Sequence, residues 1–279
     1  SLKVNQEEYA RLSEHVGFLP VVMISPNDNG LIIDGNEARR KFFDSTISQI
    51  NRQYLYNLVR YQKALRQRNA LLKEFGPRMT IDSERLAPYD NELLSLAGEL
   101  YAVRAKFLKK FETRFSKLYK HLSHEHEAVT ITYESQWQKE DPAQLFKSAI
   151  KKDLALQRTT VGVHRDAYHF MIDGKPIKRF GSQGQQKSLI VGLKVAQFEE
   201  LKKAAGVTPV LLLDDIFDKL DDQRMAILLK MVCDNEFGQI FLTDARPERT
   251  RTMLAENNLA ARIFTVNDGV IESVEDYEH

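Results

Sequence analysis

Apolar residues recur at steps of three and four from about Tyr89 to His121, where Leu93, Leu96, Leu100, Val103, Phe107, Phe111, Phe115 and Leu118 form one stripe. The spacing predicts a helix roughly 50 Å long at the usual rise per residue. A helical pattern also fills Asn36 to Phe75 and stops at Gly76-Pro77. Its second part, Gln53–Glu74, is expected to stack against the longer helix as a helical arm. Clean heptads do not persist, so no extended coiled coil is expected. Ahead of the arm, Gln6 to Val16 reads as a short helix. Pro20 to Ser25 is an apolar run of strand length, closed by Pro26-Asn27-Asp28.

After His126 the period changes. Ala128–Ser135 alternates as a strand, Pro142–Gln157 is helical, and Ala167–Phe180 reads as a hairpin turning at Asp173-Gly174. Helix and strand signals then alternate: a helix over Ser182–Ala205, a strand over Pro209–Asp215, a helix over Gln223–Val232, a strand over Gln239–Ala245, a helix over Pro247–Asn257 and a strand over Ala261–Asn267. This order predicts a parallel α/β layer. Neither an internal repeat nor a low-complexity tract interrupts it.

Composition adds only bounds. The 279 residues suffice for one large domain or two ordinary ones, with 43% hydrophobic and 28% charged residues as in soluble globular chains. A net charge of +1 names no partner. The single cysteine, Cys233, excludes an internal disulfide framework and a cysteine-rich zinc site, and fits a reducing cytosol. No apolar run approaches a membrane span, and the N-terminus carries no signal-peptide pattern.

The chemistry gathers in two places. The unbroken apolar run Val210–Leu213 is what a strand buried on both faces looks like, and it delivers Asp214 and Asp215 at its C-terminal end, where ligands bind in open α/β sheets. Adjacent carboxylates repel unless a cation or another partner lies near. Asp214 is the candidate to hold Mg²⁺, directly or through water, and Asp215 to orient a water toward a γ-phosphate. The plainer alternative is a strand that ends at a polar helix cap. Behind it, Asp218 and Asp221 precede a helix, and Asp221 or Asp222 is a credible N-cap.

The second place is Phe180–Gln186, where small polar residues open a long helix. Glycine lets backbone approach a ligand, and a helix N-terminus offers free N–H groups to an anion. Ser182, Gly184, Gln185 and Gln186 therefore read as a small phosphate-recognition surface. Serine is also simply a good N-cap. The helix start stands ahead of the double-aspartate strand.

Together these stretches resemble the RecF family of ABC-type ATPases. Gly181–Leu189, "GSQGQQKSL", is similar to the signature motif in its RecF variant, Pro209–Asp215 to the Walker B strand, and Asp218–Asp221 to the D-loop. The run Val161–Leu189 resembles the family's "GPHRDD…GK…SQGQ" pattern, with Val163 where proline is usual; Val21–Asp28 and Asn51–Lys73 also look RecF-like. The resemblance implies an α/β fold: an incomplete ABC-type ATPase head of the P-loop NTPase class with an inserted helical arm. It divides the chain into 1–34 as a remnant of the first head lobe, 35–126 as the arm, and 127–279 as the lobe with the signature, Walker B and D-loop motifs.

The function implied is ATP-dependent DNA repair, recombination and replication in the cytoplasm, linked to the SOS response. Two copies would dimerise around ATP and Mg²⁺, with Asp214 and Asp215 of one facing Ser182–Gln186 of the other. The expected partners are duplex DNA beside single-stranded gaps, RecR and RecO, with a functional link to RecA. Asp221 would touch nucleotide, and Thr243, in a region where the family has threonine, the attacking water. The family also carries a P-loop upstream of Val21–Ser25. Gly30 and Gly35 have its glycine spacing but are followed by Asn36-Glu37 rather than Lys-Ser/Thr. This chain is therefore expected to lack that segment and to hydrolyse nothing alone. The alternative reading is a non-catalytic DNA- or protein-binding module. A longer-coiled ATPase of the chromosome-maintenance superfamily fits the short arm less well.

DNA contacts are expected on the arm, where Arg60, Lys63, Arg66, Arg104, Lys109, Lys110, Arg114 and Lys117 cluster. A solvated helix face is the bland alternative. His121, His124 and His126 lie close together without completing a metal shell. His164 and Arg165 read as structural or as part of the head, and Trp137 as a packing anchor.

Overall fold

The computed structural model describes residues 3–76, 83–122, 127–138, 141–215 and 238–277. The chain opens with a small hairpin, β1 (Lys3–Val4) and β2 (Glu7–Glu8), turning on Asn5 and Gln6 at φ of 50° and 70°. The expected helix over Gln6–Val16 is therefore reduced to one 3-10 turn at Leu12–His15. Strand β3 (Val21–Ile24) follows, then helices α1 (Gly30–Ile33), α2 (Asn36–Ile50), α3 (Arg52–Phe75) and α4 (Ser83–Leu122). Asn51 separates α2 from α3 because its side chain caps α3, accepting from the Tyr54 N–H at 2.9 Å. Helix α4 begins before the expected Tyr89 and carries Pro88 within it.

Next come β4 (Val129–Glu134), α5 (Pro142–Leu156), β5 (Ala167–Ile172), β6 (Lys175–Pro176), α6 (Ile177–Phe180) and α7 (Gln183–Ala205). The chain ends with β7 (Val210–Asp214), β8 (Ile240–Thr243), α8 (Pro247–Glu256), β9 (Ala261–Asn267) and β10 (Val270–Tyr277). The helix expected over Gln223–Val232 lies outside the described residues. Among the described residues, no helix is long and apolar enough to cross a membrane.

Two compact units result: Ser1–Pro20 with Asn29–Val207, and Val21–Asp28 with Thr208–His279. Their boundaries differ from those of the three-part division at 34/35 and 126/127. The larger unit packs α3 against α4, α2 and α5, and α4 in turn against helix α7 and strand β4 of the antiparallel sheet β4-β5-β6. The stripe predicted on α4 is its core face: Leu93, Leu100, Phe111 and Phe115 are fully buried. Phe43 of α2 joins them, stacked on Tyr168 of β5 at 4.3 Å between ring centres.

Charges thread this core as well. Arg68 of α3 pairs with Asp90 of α4 at 2.5 Å and with Asp153 of α5 at 2.6 Å. Arg104 of α4 pairs with Asp44 of α2 and with Asp166, each at 2.9 Å, and donates to the Val163 carbonyl. Arg39 donates to the carbonyls of Leu31, Ile32 and Tyr168. These guanidiniums are tied to acceptors on several elements, as buried charge requires.

The smaller unit holds the parallel sheet β3-β7-β8, with β7 in the middle. Leu211 and Leu213 of β7 are buried. The strand at Ala261–Asn267 does not join this layer. It pairs antiparallel with β10 through a turn at Asp268-Gly269, where φ is 47° and 77°.

Candidate functional site

In the smaller unit the parallel register sets Leu211 opposite Ile240 and, three residues on, Asp214 opposite Thr243. The Thr243 hydroxyl donates to Asp214 Oδ1 at 2.7 Å. The Asp215 N–H points back at the same residue, 3.3 Å from both the Thr243 carbonyl and its hydroxyl oxygen. Asp215 itself takes φ of 47°, the left-handed region that aspartate tolerates better than most side chains. The three residues proposed for catalysis thus converge at the C-terminal ends of β7 and β8; β7 alternates buried and half-buried positions rather than being buried on both faces. Among the described residues no cation pairs with either carboxylate.

The next carboxylate along β8's exit is different. Asp244 pairs with Arg249 at 2.7 Å and accepts from the Thr250 hydroxyl at 2.9 Å, tying down the start of α8. Burial works to raise its carboxyl, but these donors outweigh it and hold the group below the ordinary aspartate range. Asp218, Asp221 and Asp222 lie outside the described residues. Among those described, no group of three or more His, Cys, Asp and Glu side chains could hold a metal.

In the larger unit, Ser182 caps α7. Its hydroxyl oxygen accepts from the Gln185 N–H at 3.2 Å, and Gln185 Oε1 accepts from the Ser182 N–H at 2.6 Å, which makes a full capping box. The Gln185 amide donates onward to Glu127 at 2.8 Å, and the Gln186 amide to the Gly181 and Ile177 carbonyls. This corrects the expectation that Gln185 and Gln186 offer their side-chain amides to a ligand. What the helix start presents is the Ser182 hydroxyl proton and the N–H groups of Gln183 and Gly184, which helix geometry leaves without an intrahelical acceptor.

No protein-family profile matches the chain. Curated relatives do. A DNA replication and repair protein RecF of Flavobacterium johnsoniae is 45% identical over 95% of this chain and 74% of its own length. The protein of the same name from Cytophaga hutchinsonii is 42% identical over 98% of this chain and 72% of its own. The chain belongs to the RecF family. Two solved structures, described as the recombination mediator protein RecF with ATP and with ATPrS in the RecFOR pathway, superpose with a TM-score of 0.82. They are 29% and 27% identical and match 99% and 98% of this chain, and 72% of theirs. The α/β fold is accordingly that of RecF, the ABC-type ATPase head with an inserted helical arm.

Within this family fold, the His164-Arg165-Asp166 run ties arm helices to the sheet. The His164 Nδ1 lies 2.8 Å from the Tyr61 hydroxyl of α3, and Nε2 lies 3.1 Å from the Thr159 carbonyl. A carbonyl only accepts, so Nε2 carries a proton, and in the neutral ring that burial favours Nδ1 accepts from the Tyr61 hydroxyl. Burial pushes its pKa down to about 4. Asp166 accepts from Tyr133 and pairs with Arg104. Its carboxyl is raised by burial, against the lowering effect of donors from Tyr133, Ser135 and Arg104. Gly162 just before the run has φ of 138°, and a Cβ there would strike the Tyr61 hydroxyl.

The arm's basic residues divide sharply. Arg104 was expected to contact DNA, but only 2% of its side chain is exposed and it is committed to Asp44 and Asp166. Charge pattern alone could not separate it from its neighbours. Arg60 is exposed but paired with Glu92 at 2.8 Å, and Arg114 pairs with Glu199 and Glu200. Lys63, Arg66, Lys109, Lys110 and Lys117 are exposed. Trp137 packs edge-on against Phe146, as an anchor should.

Proposed function

We propose that the chain is a nucleotide-gated DNA-repair protein of RecF type, whose dimerisation around ATP is its output. The observation that carries this reading is the Thr243 hydroxyl seated on Asp214 at the end of β7, beside Asp215. Oxygen donors on one or two carboxylates suit Mg²⁺, which keeps waters and takes its other ligands from phosphates. With one Asp214 oxygen engaged by Thr243, the second carboxylate oxygen is the proposed ligand. Bound there, the ion supplies charge neutralisation at a phosphoryl group. Asp215 and Thr243 are proposed to orient the attacking water, and Asp221 to touch nucleotide.

The Ser182–Gln186 helix start suits the γ-phosphate of a nucleotide held by a second copy of the chain. It offers one hydroxyl and backbone N–H groups at the positive end of a 23-residue helix. ATP comes to this reading from the RecF–ATP structures, and DNA from the name of the relatives. Duplex DNA beside single-stranded gaps, RecR, RecO and the loading of RecA complete the proposal. So does the division into head segments 1–34 and 127–279 around an arm at 35–126.

The test is sedimentation velocity, with and without ATP and Mg²⁺, on the protein expressed from its complete reading frame. Ser182→Arg places a long cation at the helix start. ATP-driven dimerisation in the parent and not in the variant is expected. Equal behaviour of the two, or no response to ATP, would replace this reading with that of a non-catalytic binding module.

A further inference from the structure

Helices α4 and α7 leave a groove of about 990 Å³ between them, lined by six cations and two carboxylates. Lys106, Lys109 and Lys110 stand at helical spacing on one face of α4, and Lys203 faces them from α7. All four are exposed, and among the described residues none of their ammonium groups has an ion-pair partner. The two carboxylates, Glu199 and Glu200, are held by Arg114 at 3.2 Å and 2.6 Å. The groove therefore keeps a surplus of positive charge that its own acids do not neutralise.

We propose that this groove, rather than the outer face of α3, is the track for the phosphodiester backbone of DNA; the proposal rests on the DNA-repair reading above. A polyanion with regularly spaced charges suits a row of unpaired lysines on two rigid helices. Such a row attracts backbone without reading bases. The contrast with α3 supports the assignment. There Arg60 is already paired with Glu92 and Arg68 is buried against Asp90 and Asp153, which, among the described residues, leaves Lys63 and Arg66 as exposed cations without a facing helix that adds to them. The Arg114 pairs do a second job: they hold two glutamates inside a basic track, where free carboxylates would repel phosphate.

Fluorescence anisotropy with a labelled gapped duplex, across a series of salt concentrations, tests this on the protein from its complete reading frame. Lys106→Gln/Lys109→Gln/Lys110→Gln is expected to weaken binding about tenfold or more and to flatten the log K against log salt slope by about 2 to 3. Lys63→Gln/Arg66→Gln on α3 is expected to stay within about twofold of the parent, since scattered surface charges contribute little. Circular dichroism establishes that both remain folded. Parent-like binding by the triple variant at every salt concentration, or an equal loss in the α3 variant, overturns the track. A polyglutamate peptide that binds the parent and not the triple variant, with DNA affinity unchanged, overturns it in favour of an acidic protein partner. A parent that binds no DNA at all overturns the track together with the repair reading. Retained ATP-driven dimerisation in a DNA-deficient triple variant separates the two.

Discussion

Arg104, buried in the larger unit, and Asp214, half-buried at the end of β7, are treated in opposite ways. Around Arg104 the larger unit supplies two carboxylates, a carbonyl and a tyrosine hydroxyl. At Asp214 the smaller unit supplies one threonine hydroxyl and, directly next in sequence, a second carboxylate. A charge satisfied from every side is cement: removing it leaves its partners stranded in low dielectric. Two adjacent carboxylates that meet a single hydroxyl among the described residues keep acceptor oxygens open, which is what a divalent cation takes. The same distinction runs through the arm, where buried Arg104 belongs to the first kind and exposed Lys109 and Lys110 to the second.

The comparison breaks most visibly at Arg104. Arg104→Met is expected to lose about 3 to 5 kcal/mol in urea unfolding, because Asp44 and Asp166 then stay buried without their cation. Stability near that of the parent would show the network to be dispensable. Gly162→Ala, forced to φ of 138° against the Tyr61–His164 bond, should lose about 2 to 3 kcal/mol by the same measurement. The pH dependence comes next. His164 is neutral in the folded chain, with its pKa lowered from 6.5 to about 4, so the unfolded chain binds the extra proton. Its contribution is complete above pH 6.5 and declines as pH falls toward about 4, by up to about 3 kcal/mol. His164→Gln, which can keep both hydrogen bonds, should flatten the stability profile in that window. Asp166 acts in the opposite sense, since burial raises its carboxyl.

The smallest stability effects belong to the strand end. Thr243→Val should cost about 0.5 to 1.5 kcal/mol, the usual worth of one hydrogen bond. Asp214→Asn should leave stability within about 0.5 kcal/mol of the parent, or raise it, because it removes one of two adjacent like charges. A large loss from Asp214→Asn would mean that this carboxylate is cement too. Nucleotide-dependent sedimentation, by contrast, should fail in Asp214→Asn.

Local chemistry was legible in advance and long-range pairing was not. The run Val210–Leu213 announced a strand ending in carboxylates, though only Leu211 and Leu213 of it are buried, and Asp173-Gly174 announced its turn, because those signals sit within a few residues. Nothing local could tell that β3 lies beside β7, with Val21 opposite Val210. Equally hidden was the role of Arg104: it shares its helix with Lys106, Lys109 and Lys110, and only Asp44 and Asp166, brought from elsewhere in the chain, satisfy it as a buried residue. The Gln6–Val16 helix failed because Asn5 and Gln6 take left-handed conformations and fold the chain back on itself. The hairpin of β9 and β10 was readable from Asn267-Asp268-Gly269, a turn signal that the expected helix–strand alternation overrode.

Helix α7 carries the Ser182 cap at one end and the Glu200–Lys203 wall of the basic groove at the other. Its middle is enclosed all round, with Leu189, Leu193, Ala196 and Phe198 buried. A single helix of 23 residues, roughly 35 Å long and packed along its middle, joins the two. The nucleotide-facing cap and the groove wall are thus opposite ends of one continuous strut, so neither can be repositioned without the other sharing the helix.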